Sequence, residues 1–554
     1  MVRYSNDKQS IICVRSDERS DSRSHLTMRI VVADDLPKTA VELLKAEGWD
    51  VDSKSGRSPE ELAKDISEAD ALVVRSATKV TPEIIAAGKK LRAIARAGTG
   101  VDNVNVEAAT TRGIVVMNAP GANSISVAEL AMAQLLSLAR KLPAADASMK
   151  QGKWDKKSFL GEEVRGKVLG LAGLGRIGQE VARRAQAFEM TVIAHDPFIA
   201  SNVAAGLNIE LVSLDDLCAR ADYLSLHMPA TPQTRHTFNA ERLGKCKKGL
   251  KLINTARGEL IDEAALVDAI KSGHIGGAAL DVYTSEPTTD QTLQQLPQVV
   301  ASPHIAASTR EGQELVGVET ATALRDFLKT GVIRNAVNFP SIPADEYQKI
   351  QPFVELAKQL GSLVGQMGEA RIEGLSVRYY GELAAGTHPL IVNAALVGLF
   401  HAILSDTVTE VNARAVAKAR GIELTESSST RGRSFRSLIS LKLTTSAGER
   451  YVEGTEVPGF GPRLVLLNGV PIDAQLPGTT ILFMNNDQPG VIGQIGTILG
   501  KHNINIANFA LGRSDTGAVA AANVDEPADR KIGEDVMKEI RALAPVKDAW
   551  LVRV

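Results

Sequence analysis

The stretch VLGLAGLGRIGQEVARR, Val168 to Arg184, reads as a strand, a glycine turn and the first turns of a helix. Inside it, Gly173-Leu174-Gly175-Arg176-Ile177-Gly178 carries the spacing G-x-G-x-x-G. The first glycine permits the tight turn, the second lets backbone N–H groups approach a pyrophosphate, and the third lets helix and strand pack closely. The helix offers unpaired N–H groups and the positive end of its dipole to that anion. Arg176 stands where it adds a charge-assisted bond. Asp196 closes the next strand eighteen residues past Gly178, near the spacing at which an acid meets a ribose hydroxyl. A carboxylate there repels a 2′-phosphate, which favours NAD over NADP.

Upstream, apolar runs alternate with helical patterns from Met28 onward. Strand RIVVA precedes a helix from Lys38 to Glu47 that Gly48 ends, and strand ALVVR ends at Arg75. A helix opened by Thr81-Pro82, strand AIAR ending at Arg96, and strand IVVMN follow. That is a doubly wound α/β unit in its own right. A helix from Ser126 to Arg140 then leads to the glycine turn, and strands TVIAH, YLSLH, LKLIN, GGAALDV and QVVAS complete a second unit. The helix Arg310 to Lys329 returns to the first unit, so the nucleotide unit is inserted into the other, with two crossings between them.

Pro340 and Pro343 mark a boundary. Residues 344–475 mix strand and helix patterns without declaring a fold. After Pro477-Gly478 the order β-α-β-β-α-β predicts a ferredoxin-like unit. The expected division is a disordered extension at 1–27, a substrate-binding domain at 28–123 and 307–340, and an inserted nucleotide domain at 124–306. An intervening α+β domain at 341–475 and a terminal domain at 476–554 complete it.

A chain of 554 residues exceeds a single core. Its net charge is −2, from 63 basic and 65 acidic residues, and no basic stripe argues for nucleic acid or an anionic membrane. No apolar run approaches the ~18 residues of a membrane span. Cys13, Cys218 and Cys246 are far apart in the chain and lack metal-ligand spacing. They fit a reducing, cytoplasmic setting and neither a disulfide framework nor a zinc site. Asp7, Asp17, Glu18 and Asp21 argue against a transit peptide at the start.

Three further segments, INTARGELIDE, DVYTSEP and SPHIAAST, end strands of the nucleotide sheet. They place Arg257, Glu286 and His304 beyond carboxyl ends, where ligands of open α/β sheets bind. Arg257 suits a carboxylate, with two parallel N–H bonds. His304 suits proton transfer, and Glu286 suits orienting the ring and favouring its charged form. Singly, these read equally as a surface charge, a turn acid and a core histidine. Their joint occurrence points to a site.

Those residues, with VRSATKVTPEII, ARAGTGVDNV, GLGRIG, NTARGELIDE, ALDVYTSEP and SPHIAASTREGQ, resemble the D-isomer-specific 2-hydroxyacid dehydrogenases. The likeness is to their long, phosphoglycerate-oxidising members with two extra C-terminal domains. It runs from about Met28 to Val554 and is dense to about Val337. It implies an α/β fold with two doubly wound domains, Rossmann-like and flavodoxin-like, and NAD as cofactor. The cofactor contacts would be Gly173, Gly175, Arg176, Ile177, Gly178 and Asp196, with Thr255 and Asp281 near the nicotinamide. Catalysis would fall to Arg257, Glu286 and His304.

The resemblance further implies 3-phosphoglycerate and 3-phosphohydroxypyruvate as the substrate pair. Arg75, Ser76, Arg96 and Asn123 would contact them, and Lys141 would reach a partner subunit's site. The terminal segment resembles an ACT domain, which implies L-serine as an effector at Asn485, Asp487 and Asn505. Asp487 reads equally as an N-cap for the helix opening at Gly490. A cytoplasmic homotetramer is the expected assembly. The intervening segment resembles a domain linked to control by anions, and its basic cluster Arg431, Arg433 and Arg436 reads as a solvated loop ahead of an anion site. Two other functions fit the same fold: a broader 2-hydroxyacid or hydroxypyruvate reductase, and a non-catalytic NADH-sensing protein.

Overall fold

The computed structural model describes residues 28–340, 344–368, 370–385, 388–404, 408–430, 434–515, 517–526 and 531–554. The expected extension at 1–27, and Arg431 and Arg433 of the basic loop, lie outside the described residues.

The first lobe is an all-parallel sheet in the order Asp50–Ser53, Arg29–Val32, Ala71–Val74, Ala93–Arg96, Val115–Met117. Chain order reverses between Arg29–Val32 and Ala71–Val74, so Asp34 and Arg75 stand at the switch point and Arg96 stands one strand away. Thr81 caps the helix Pro82–Ala87 as expected. Ser58 and Glu61 form a capping box on the helix Pro59–Asp65.

The second lobe has seven parallel strands, ordered Val299–Ala301, Ile275–Leu280, Leu250–Asn254, Tyr223–Leu226, Val168–Ala172, Thr191–His195, Glu210–Leu211. Its reversal lies between Val168–Ala172 and Tyr223–Leu226, where the glycine turn emerges. Cys218 and Cys246, distant in sequence, lie beside one another in this core as free thiols.

Two crossings join the lobes, and they touch. Ser126 Oγ and Thr309 Oγ1 are 2.7 Å apart, and a Cβ on Gly312 would fall 2.6 Å from Ser126 Oγ. The helix Arg310–Thr330 then lies along Lys38–Lys45, with Lys329 paired to Glu47 at 2.7 Å. Asn338 Oδ1 accepts from Val116 N at 2.9 Å, closing the edge of the first sheet. The nucleotide lobe is therefore inserted in the other, as expected.

Beyond it, a six-stranded sheet runs from Glu423–Ser429 through Ile372–Gly381, Ser437–Thr445, Gly448–Val457 and Gly461–Leu467 to Val470–Gln475. The helices Ala344–Gln366 and Pro389–Ile403 pack with it. They approach so closely that a Cβ on Gly361 would fall 2.0 Å from Ala395 O. This domain docks on the first lobe, where Thr409 Oγ1 donates to Gly113 O at 2.9 Å and Asn412 Nδ2 to Thr111 O at 3.2 Å.

The last unit is an antiparallel sheet, Asn505–Ser514, Gly517–Asp525, Thr479–Asn485, Val546–Arg553, with helices Val491–Lys501 and Glu534–Arg541. That is the ferredoxin-like arrangement read from the sequence. Among the described residues, no helix is long and apolar enough to cross a membrane.

Candidate active site

The glycine turn is shaped by what surrounds it. Gly173 has φ 100, and a Cβ there would fall 2.8 Å from the His227 carbonyl carbon. A Cβ on Gly178 would fall 2.4 Å from Gly173 O, whereas Gly175 faces open space. The helix Arg176–Ala187 has no side-chain cap at Gly175. Its first N–H groups are left for an external anion. Ile177 is half-buried and Arg176 is exposed, with Nη1 lying 3.4 Å from where a Gly121 Cβ would sit on the loop that leaves the first lobe.

Asp196 is stitched to this turn. Its Oδ2 accepts from Leu174 N at 2.8 Å and its Oδ1 from Phe198 N at 2.9 Å. A carboxylate has about four lone-pair sites, so capacity remains for a ribose hydroxyl. Thr255 Oγ1 is buried without a hydrogen-bond partner among the described residues. The donor set and the open space over Gly175 fit a dinucleotide.

At the carboxyl ends of the same sheet, His304 Nδ1 lies 2.6 Å from Glu286 Oε2, and Glu286 Oε1 accepts from Tyr283 N at 3.0 Å. The bond to Glu286 raises the imidazole pKa above 6.5, against the opposing effect of burial. Burial alone would raise the Glu286 pKa, but bonds from His304 and Tyr283 N outweigh it and hold the carboxyl low. With Nδ1–H donated to Glu286, the Nε2 lone pair faces outward.

Asp281, expected near the nicotinamide, is fully buried. Its carboxylate accepts from Ser302 Oγ at 2.6 Å, Ile305 N at 2.9 Å and Ala306 N at 2.8 Å. Its carbonyl accepts from His304 N at 2.8 Å. Asp281 therefore shapes the loop that presents His304, a task the motif did not reveal.

Across the cleft, three guanidinium groups converge. Arg257 reaches from the second lobe to Asp102 of the first, Nη2 to Oδ2 at 3.0 Å and Nε at 3.1 Å. A Cβ on Gly100 would fall 2.0 Å from Arg257 Nη2, so the glycine admits the arginine. Arg75 Nη1 donates to Asp35 O at 3.2 Å, and Asn103 Nδ2 holds the Arg75 carbonyl at 2.6 Å. Arg96 Nε is buried without a partner among the described residues. Burial first, then the nearby Arg257 and Arg75, lower its pKa to about 10, against Asp102 and Asp34.

Ser76 is exposed beside Arg75, and Asn123 is buried, accepting from Thr99 Oγ1 at 2.8 Å. Sequence reasoning missed Asp34 and Asp102. Their signal was an acid just past a strand end in VADDL and an acid in the glycine-rich turn GTGVDN that follows AIAR.

The other expected residues lie elsewhere in the chain. Lys141 is exposed at the other end of the helix Ser124–Arg140, about 27 Å from Asn123 at 1.5 Å per residue. In the terminal unit, Asn485 Oδ1 accepts from Asp487 N at 2.8 Å, and Asp487 pairs with Arg513 at 3.1 Å. The N-cap reading of Asp487 is corrected: the helix Val491–Lys501 starts from Gly490 with no side-chain cap. Asn505 donates to Asp525 at 2.7 Å. The register puts Asn505 opposite Asp525 and Asn485 opposite Ala518, at opposite ends of the sheet. One chain does not bring these residues together.

Comparison with known proteins agrees with this architecture. Residues 132–306 match the D-isomer specific 2-hydroxyacid dehydrogenase NAD binding domain, 349–468 the D-3-phosphoglycerate dehydrogenase intervening domain, and 479–545 the ACT domain. The D-3-phosphoglycerate dehydrogenase of Synechocystis is 41% identical, over 96% of both chains. That of Archaeoglobus fulgidus is 41% identical, over 92% of this chain and 98% of its own. Among solved structures, the TT0316 protein of Thermus thermophilus aligns along its whole length with 56% of this chain, at 37% identity and a TM-score of 0.52. A glyoxylate reductase from Paecilomyes thermophila aligns over 98% of its length with 56% of this chain, at 30% identity and a TM-score of 0.53.

Proposed function

The chain belongs to the D-3-phosphoglycerate dehydrogenase family, and from that premise we propose that it oxidises 3-phospho-D-glycerate to 3-phosphohydroxypyruvate, the opening step towards L-serine. Bound NAD supplies the hydride acceptor. The chain's residues do the rest. His304 Nε2 takes the hydroxyl proton, and the bond from Nδ1 to Glu286 holds the ring and stabilises the imidazolium that forms. Arg257 anchors the substrate carboxylate, which displaces Asp102 from its fork. Arg75 and Arg96, with Ser76 and Asn123 beside them, face the phosphate.

One observation carries this reading: Arg75, Arg96 and Arg257 gather opposite the His304–Glu286 pair, and Arg96 Nε stays buried without a partner among the described residues although Asp34 and Asp102 lie near. Like charges held together in a half-buried cleft are costly unless a multiply charged anion joins them. The test is NADH oxidation by phosphohydroxypyruvate and by unphosphorylated hydroxypyruvate. Arg75→Ala is expected to lower kcat/KM by about 10–10²-fold for the first substrate and to leave the second nearly unchanged. An equal loss on both would remove the phosphate assignment.

The regulatory reading extends to L-serine held by Asp487 of one copy and Asn505 of another, because a single chain separates them. A homotetramer supplies that second copy. The helix Leu142–Lys150 and the segment after it expose Leu142, Met149, Trp154 and Leu160, an apolar surface suited to a second copy, with Lys141 at its root. The two buried free thiols, Cys218 and Cys246, fit the reducing cytoplasm.

A further inference from the structure

A run of polar contacts ties the long crossing helix to both arms that hold His304. Gln134 lies in the helix Ser124–Arg140, on the face that carries Ala131, Leu135 and Leu138 into the nucleotide core, and is 4% exposed. Its Nε2 donates to Ser302 Oγ at 3.0 Å. From Ser302 the contacts divide. Its Oγ donates to Asp281 Oδ1 at 2.6 Å, and Asp281 in turn accepts the N–H groups of His304, Ile305 and Ala306. Its carbonyl accepts from Tyr283 Oη at 3.2 Å, and Tyr283 N donates to Glu286, the partner of the imidazole ring. One serine thus stands behind both the backbone and the ring of His304.

Chemistry fixes the direction of this run. A carboxylate only accepts, so the single hydroxyl hydrogen of Ser302 belongs to Asp281. Ser302 Oγ then has only lone pairs to offer, and the amide must turn its N–H groups towards them. That orientation is costly. Gln134 Oε1 is buried without a hydrogen-bond partner among the described residues, a loss that a methionine of similar length avoids. Packing alone favours an apolar side chain here, so the amide answers to the site.

We propose that Gln134 is a positioning residue for proton transfer, setting the pose of the His304 imidazole through Ser302. This rests on His304 as the proton carrier. The helix that holds Gln134 is preceded by Asn123 in the substrate cleft and carries Ser126, which meets Thr309 at the second crossing. Closure of the lobes and the aim of the imidazole therefore share one rigid element.

The test is Gln134→Met in the full-length protein, assayed by NADH oxidation with phosphohydroxypyruvate. The expected result is a kcat about tenfold lower with KM unchanged, the pattern of an interaction realised in the transition state. The melting transition should be no lower than that of the native chain, because the orphaned carbonyl is gone. Ser302→Ala should lose at least as much turnover, and Ser302→Thr, which keeps the hydroxyl, should recover most of it. The double variant Gln134→Met/Ser302→Ala should be no slower than Ser302→Ala alone. An unchanged kcat in Gln134→Met overturns the proposal. So does a lower melting transition with a raised KM, which marks a packing role, or a double variant whose losses multiply. His304→Asn, measured alongside, separates the two levels. Turnover retained there removes His304 as proton carrier, whereas an inactive His304→Asn beside a fully active Gln134→Met removes the role of Gln134 alone.

Discussion

His304 and Glu189 lie in the same lobe and share a left-handed backbone, at φ 53 and φ 58. That conformation costs an L residue about 1–2 kcal/mol. Their surroundings differ. His304 is held at its backbone and at one ring nitrogen: Asp281 accepts its N–H and the N–H groups of the next two residues, and Glu286 holds its ring. Glu189 ends the turn after the helix Arg176–Ala187, and its carboxylate meets only Arg165, on an exposed surface. Strain at the first position is enforced by groups that all aim one imidazole into the cleft. At the second it is merely tolerated. The same dihedral thus marks a working residue only where its neighbours over-determine it.

The most direct way to break this contrast is His304→Asn. Asparagine accepts the left-handed conformation, so the loop should persist while the proton carrier is lost. Turnover is expected to fall by about 10²–10⁴ with NADH affinity unchanged by fluorescence titration. An unchanged kcat would sink the assignment.

Glu286→Gln should cost about 10²-fold and move the pH profile. The bond to Glu286 raises the His304 pKa, so the native enzyme keeps its imidazolium above pH 6.5. Ketoacid reduction, which needs the proton on His304, should therefore hold its rate past that pH. Oxidation, which needs the free base, should rise only above it. Both limbs should shift to lower pH in the glutamine variant. A fixed profile would show that another group titrates.

Asp281→Ala acts chiefly through the loop, because the charge of Asp281 adds only a lesser upward push on the His304 pKa behind that of Glu286. A tenfold loss in kcat, on the order expected of misplacement, should come with a smaller acid shift of the pH limb than in Glu286→Gln and partial recovery of kcat in Asp281→Asn. A limb that moves as far as in Glu286→Gln would mean that Asp281 governs the imidazole directly.

Much of this cleft was legible because strand ends announce themselves. ALVVR and AIAR stop at arginines, and as parallel neighbours in the first sheet they bring those ends to one edge. What stayed hidden needed partners remote in the chain. Strand Asp50–Ser53 reads DVDS, with no apolar run, and exists because Arg29–Val32 lies beside it. Asp102 looked like a loop acid until Arg257 arrived from 155 residues away. Cys218 and Cys246 share no spacing motif, since only the packing of the nucleotide core makes them neighbours. Asp487 and Asn505 behave differently. The position of Asp487 suggested a cap, which the helix at Gly490 lacks, and the resemblance set Asn505 beside it, whereas the sheet register of one chain sends Asn505 to the far end. Glu189 was the converse case: it stands where a glycine often ends a helix, and the structure gives it the left-handed backbone that a glycine there would adopt.

That position gives the smallest and sharpest test. Glu189→Gly removes the Cβ clash of the left-handed turn but surrenders the exposed pair with Arg165 and adds backbone freedom to the unfolded chain. The balance is a gain of about 0.5–1 kcal/mol. It should appear as a melting transition about 1–3 °C higher, with kcat unaltered. Applied to His304, the same relief of strain should leave the fold intact and abolish turnover. If Glu189→Gly melts lower instead, the pair with Arg165 outweighs the dihedral, and the two left-handed residues are both held by their side chains.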